Sequence, residues 1–412
     1  MLIDGLHADR VLAEVPAPST PLGPFEDGLV AWTTWVTLMG FLGVVVLALV
    51  VAGPATRRLG TDVAAAATVR LARVAAVLAI LAVPAVLTAT AHTASKVGGY
   101  DYGTAWQALY DGTGDGLLAG LELTFLAAGV LVMLPLIARP IAYTRGRVWL
   151  LSGGIATGAI ALATTKFPAK APADWGRGTF NTTMWMLHLF GGAVWIGGLL
   201  GLVALAVPGA IPAGRRGEFW SPAIRRFSVA AMSCVGAITL SGLFLYWAHV
   251  DGPTQLFTTM YGRVLGVKIL IFGAMLLIGV VNQFWLHPRI EALRAAGDSR
   301  PLRTLLVREF PAAIALEVVL GLSVPMVVPF LHGSARGQAF QAEAAKTAPA
   351  GTKAKDLPKA PAKMASASTW VYGTAETIAV IVVLAGGYRV SGRIARRRTE
   401  STATAEPELV DV

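Results

Sequence analysis

Nine stretches of about 20 apolar residues recur along this chain, each long enough to cross a hydrocarbon core of about 30 Å as a helix. They run roughly over 28–53, 68–92, 116–137, 147–165, 183–207, 225–248, 262–286, 308–331 and 369–389. Inside lipid every backbone N–H and C=O must be satisfied within the segment, so runs of this length are restricted to helices. The rest of the composition agrees. Of 412 residues, 55% are hydrophobic and only 14% are charged. The mean hydropathy of +0.63 excludes a soluble domain of this size. The predicted fold is all-α, a polytopic transmembrane helix bundle of about nine helices. An N-terminal tail (1–27) precedes a four-helix half (28–165) and a second four-helix domain (183–331). An Ala/Pro/Lys-rich linker (333–368), a ninth helix (369–389) and a tail (390–412) follow.

The charges set the expected orientation. Short loops rich in Lys and Arg stay cytoplasmic. Arg57, Arg58 and Arg70 flank the first connection, Arg139, Arg145 and Arg147 the third, and Arg215, Arg216, Arg225 and Arg226 the fifth. Arg289, Arg294, Arg300 and Arg303 follow the seventh segment, and Arg389, Arg393, Arg396, Arg397 and Arg398 follow the ninth. With nine helices all five clusters share one side. The opposite side holds Asp4, Asp9, Glu14, Glu26, Asp27, Asp101, Asp111, Asp115 and Asp251. The N-terminus is therefore expected outside and the C-terminus inside. The linker is the exception, since it carries Lys346, Lys353, Lys355, Lys359 and Lys363 yet falls on the outer side by count. A long, irregular loop follows the charge rule less strictly.

Several functions are excluded. The net charge of +10 lies in loops and tails, with no basic, aromatic-interleaved domain for nucleic acid. The start lacks a basic stretch followed by an apolar one, so no cleavable signal peptide is expected. A single cysteine, Cys234, allows neither an intramolecular disulfide nor a thiolate cluster, and its mid-helix position reads as a small buried hydrophobe. The glycines of the fifth segment (Gly191, Gly192, Gly197, Gly198, Gly201) sit within an apolar span with no preceding strand, which suits close helix packing and not a phosphate loop.

The chemistry lies in the histidines. His92, His249 and His332 end the second, sixth and eighth segments, and His188 lies about a turn and a half into the fifth, all on the expected outer side. Met184 precedes His188 by four residues and so shares its helical face. Imidazole with thioether suits Cu(I), and imidazole alone also suits Cu(II), Zn or haem iron. A lone histidine at a helix end reads as an interfacial residue. Four on one side, one of them inside the span, point to an ion or cofactor site, because polar groups are costly to bury in lipid. Pro325 and Pro329 predict a kink before His332. His7 and His287 stand outside the group. Glu122, Lys268, Glu317 and Glu376 also fall within apolar spans, where an unpaired charge costs at least about 2.5 kcal/mol. They read as helix-locking ion pairs, with Lys268 opposite one of the acids, or as steps on an ion path. No residue reads as catalytic.

The run His188-Leu-Phe-Gly-Gly-Ala-Val-Trp195-Ile-Gly197-Gly198, then Arg226-Phe227-Ser228, Thr239-Leu-Ser-Gly242 and Tyr261-Gly262-Arg263-Val-Leu265-Gly-Val-Lys268 resembles the copper resistance protein D (CopD) family over about residues 183–331. The linker and ninth helix depart from that pattern. The resemblance implies a multi-pass protein of the cytoplasmic (inner) membrane, in contact with lipid and concerned with copper passage or tolerance. It also implies a separate extracytoplasmic copper-binding partner of the CopC type, since no loop here is long enough to hold such a domain.

Three functions follow as expectations. In the first, a copper permease captures a copper ion on His92, His188, His249, His332 and Met184. With no ATPase motif in the chain, such transport is passive or ion-coupled. In the second, two histidines at one depth hold haem b, making an oxidoreductase or electron carrier. In the third, the protein delivers copper to a respiratory oxidase, with the linker and ninth helix docking a partner.

Overall fold

The computed structural model describes residues 25–95, 99–281, 311–331, 333–349, 356–361 and 363–404. These residues form helices and loops with no strand among them. The helices of seven or more residues are α1 (Phe25–Leu47), α2 (Thr61–Ala94), α3 (Tyr102–Ala108), α4 (Gly114–Ile137), α5 (Gly146–Thr164) and α6 (Trp175–Ala206). They continue with α7 (Arg216–His249), α8 (Met260–Val281), α9 (Pro311–Val327), α10 (Ala335–Thr347) and α11 (Ala367–Thr404). Eight described helices are long and apolar enough to cross a membrane, namely α1, α2, α4, α5, α6, α7, α8 and the Ala367–Gly387 part of α11. The chain is thus an all-α polytopic bundle. The described part of the expected eighth span is α9, 17 residues long.

The first helix is the hub. It is apolar all round, and Leu38, Phe41 and Val44 are fully buried. It packs on α2 and α5 of its own half and on α6 of the other. The α1–α6 contact is made by glycines. A Cβ added at Gly197 would lie 2.5 Å from Gly43 Cα and 2.8 Å from the Met39 carbonyl oxygen, so the two backbones touch. Between lipid tails that are as apolar as leucine, such close approach is what drives helix association. Beyond Leu47 the first helix passes through a π turn, Ala48–Ala52, in which Gly53 N–H bonds Ala48 O. Pro54 follows directly; it has no N–H, and its ring opposes the regular α register.

The second half is looser. The seventh helix packs on α6, α9 on α8, and α11 touches the bundle through α7, where Leu384 meets Gly236. None of the most apolar window of α11 is buried within the chain. The end of the α9 segment returns to the start of α1, with the Phe330 ring against Gly28 and Trp32 Nε1 donating to Leu322 O (3.2 Å). That contact puts the end of the α9 segment, and with it Gly333 where the Lys-rich segment begins, on the face where α1 begins, called the outer face below. The segment was expected to be irregular. It instead contains the 13-residue helix α10, started by Ser334, whose side chain accepts from Gly337 N.

Candidate functional site

His188 sits on the face of α6 that packs against α7. Its Nδ1 lies 3.1 Å from Ser241 Oγ, a fully buried hydroxyl. Ser241 gives its only proton to Ala237 O one turn back (2.5 Å), so toward His188 it accepts from Nδ1–H. The tautomer is thereby fixed, and the Nε2 lone pair is the one left for a ligand. The seryl residue is followed by Gly242, where an added Cβ would lie 3.8 Å from His188 Cε1, so this glycine borders the ring. Met184, one turn nearer the outer face, shares the His188 stripe.

His249, in the last turn of α7, forms a second tier. Its Nδ1 donates to Leu245 O (2.8 Å), again leaving Nε2 free. Tyr261 stacks on the ring (5.9 Å between centroids, 11° between planes) and Trp185 meets it edge-on (6.3 Å). Lys166 lies 4.9 Å over the Trp185 ring, and burial pulls its ammonium pKa below the ordinary value. Ser241 and His249 are eight residues apart on one helix, about 12 Å in rise. His188, level with Ser241, is therefore about two turns deeper than the Cα of His249.

His92 ends up elsewhere. Its Nδ1 is 3.3 Å from Asp27 Oδ1, close enough for charge attraction but not aligned as a hydrogen bond. The ring lies 5.7 Å from Tyr100, which stacks on Tyr102. Burial and the Asp27 and Glu26 carboxylates hold the Tyr100 hydroxyl above its ordinary pKa. Gly43 meets Gly197 and Leu47 meets Gly201, a register that sets Asp27 about seven residues, or roughly 10 Å, outward of His188. His92 and His249 thus share an outer level above His188. No three His, Cys, Asp or Glu side chains gather as a metal site among the described residues. His332 lies outside the described residues, as do His7 and His287; its neighbour Phe330 adjoins Gly28 and so the His92 corner.

The four intramembrane charges lie on four different helices, α4, α8, α9 and α11. Neither Glu122, Lys268 nor Glu376 is ion-paired with another described residue, and the Glu317 side chain is outside what is described. Trp195 meets Phe272 edge-on at 5.9 Å, which aligns α6 with α8 and sets Lys268 about one turn deeper than His188 on the facing helix. Its ammonium is within electrostatic range of the imidazole. Glu122 is half-buried on α4, and Glu376 is exposed on α11. Sequence reasoning missed Ser241 as a partner of His188. The signal was the Thr239-Leu-Ser-Gly242 run, a hydroxyl beside a glycine within an apolar span.

The sequence profile of the copper resistance protein D family matches residues 221–330, from α7 through the end of the α9 segment. Over those residues the chain is similar to the CopD family. Copper resistance protein D of Pseudomonas syringae pv. tomato is 28% identical over 174 residues, covering 40% of this chain and 54% of that protein. Copper transport protein CutJ of Bacillus subtilis (strain 168) is 33% identical over 132 residues, covering 30% of this chain and 22% of that protein. The matches span about half of the first relative and about a fifth of the second. No solved structure matches. The CopD match takes in Ser241, His249, Tyr261 and Lys268, while His188 precedes it by one helix.

Proposed function

We propose that this protein handles copper in the cytoplasmic membrane, taking the ion from the extracytoplasmic side onto His188, with Met184 one turn above it. The observation that carries the reading is the His188–Ser241 pair. A buried hydroxyl with no proton left for the ring holds Nδ1–H and turns Nε2 into a ready soft-to-borderline metal donor. The names of the similar proteins, copper resistance protein D and copper transport protein CutJ, supply the metal. His249 between Trp185 and Tyr261 stands at the mouth as a first contact for the incoming ion, and His92 with Asp27 marks a separate outer position. Lys268 puts a positive charge on the inner side of the ion and so opposes free run-through of a cation. A separate extracytoplasmic copper-binding protein would deliver or receive the ion at the outer face.

Haem b fits the same residues poorly. Two axial imidazoles must approach one iron from opposite sides, whereas the His249 ring is tied to Leu245 O and covered by Tyr261 on one face and the edge of Trp185. One preparation tests both readings. The purified protein is expected to bind copper with no Soret band, and His188→Ala to lose the tightest copper site. Unchanged stoichiometry and affinity in His188→Ala would remove the proposed site, and a Soret band would favour haem.

A further inference from the structure

The segment between α9 and α11 lies beyond the residues matched by the CopD profile, and copper capture as described gives it no task. Its contacts do. The three helices that carry His188, His249 and Tyr261 all have their outer ends held by it. On α6, Arg177 in the first turn donates to Lys363 O and approaches Met364 Sδ (3.2 Å). At the end of α7, Lys363 Nζ donates to Trp247 O and Val250 O, each at 2.9 Å, and lies 5.4 Å over the Trp247 ring. On α8, Tyr261 N donates to Gln338 Oε1 of α10 (3.0 Å).

Asp251 joins the pieces. Its two oxygens take Lys363 (3.1 Å) and Arg336 (3.3 Å), and Arg336 also donates to Pro361 O, tying α10 to the extended stretch after it. Lys363 and Arg336 are only 22% and 19% exposed, unusual for such side chains, and Val250 beneath them is 2% exposed. A half-desolvated ammonium that donates to two helix-end carbonyls and one carboxylate makes strong, charge-assisted bonds at the end of α7, where carbonyls run out of intrahelical donors.

We propose that α10 and residues 356–361 and 363–366 form a latch that closes the outer entrance above His249, fastened by Lys363 and Arg336 on Asp251. For copper entry it rests on the reading above, but closure itself is a property of the protein with or without metal. Copper reaches His188 only when the fastening opens.

The test uses the full chain in membranes, with Cys234→Ser and Val250→Cys, labelled from outside by a membrane-impermeant maleimide without copper. With the latch intact Cys labelling is slow. Lys363→Ala raises its rate by at least about tenfold, and Lys363→Arg keeps it slow. Equal rates with and without Lys363 would overturn the latch, whether both are fast or both are slow. A second variant guards against misfolding: Asp251→Asn keeps the side-chain shape but removes the charge that fastens both cations, so it should speed labelling as Lys363→Ala does, and a rate equal to that of the intact latch also overturns it. If labelling behaves as expected while His188→Ala leaves copper binding unchanged, the latch stands and the copper site falls.

Discussion

Ser241 Oγ lies 3.1 Å from His188 Nδ1 across the α6–α7 interface, and this contact decides which ring nitrogen keeps its lone pair. Ser241→Ala should weaken copper binding by about 10–100-fold, the usual effect of losing the group that orients a ligating imidazole. Helix content should not change. Competition against a chelator of known affinity measures it, and an affinity equal to wild type would detach Ser241 from the site.

The two halves are joined where Gly43 faces Gly197. A side chain at Gly197 meets backbone atoms at 2.5 to 2.9 Å, which cannot swing away. Gly197→Val should lower stability by about 1–3 kcal/mol, read as a lower unfolding temperature in detergent. Gly192→Ala is the control, because its nearest neighbours are Met39 side-chain atoms at 3.8 and 3.9 Å. Equal effects of the two variants would refute the contact.

Glu376 is exposed within the span of α11 and has no ion-pair partner among the described residues. A lipid-facing carboxylate costs about 2.5 kcal/mol or more on insertion scales, so Glu376→Gln should insert at least as well as wild type and keep copper binding. Insertion assays of the full chain check this. Poorer insertion or lost binding would mean that the carboxylate serves a partner.

Asp101 caps α3 through Thr104, accepting from its amide (2.9 Å) and its hydroxyl (2.6 Å). These bonds hold its carboxyl below the ordinary value of 3.8. A depressed folded pKa stabilises α3 above the unfolded pKa, and the contribution disappears as pH falls through the lower folded value. Amide protection around Thr104 should therefore persist into acid beyond the point where a free aspartate protonates. In Asp101→Ala it should be weak at every pH. Hydrogen exchange followed by mass spectrometry, corrected for intrinsic rates, would show loss at the ordinary carboxylate pH if the cap is unimportant.

The spans, their order and the resemblance to the CopD family were legible in the residues, because the hydrocarbon core imposes length and apolarity locally and leaves helices as the only solution. His188 with Met184 on one face was legible for the same reason, since helical spacing is a property of one segment. Depth was not. Counting from span ends put four histidines at one level, but relative level depends on how far helices slide past each other, which here is set by glycine contacts such as Gly43–Gly197. The Ser241 partner, the separation of His92 toward Asp27, and the folding of a Lys-rich linker onto Asp251 are likewise contacts between distant residues. Hydropathy is one-dimensional and fixes which segments enter the membrane; only packing between them fixes which side chains meet.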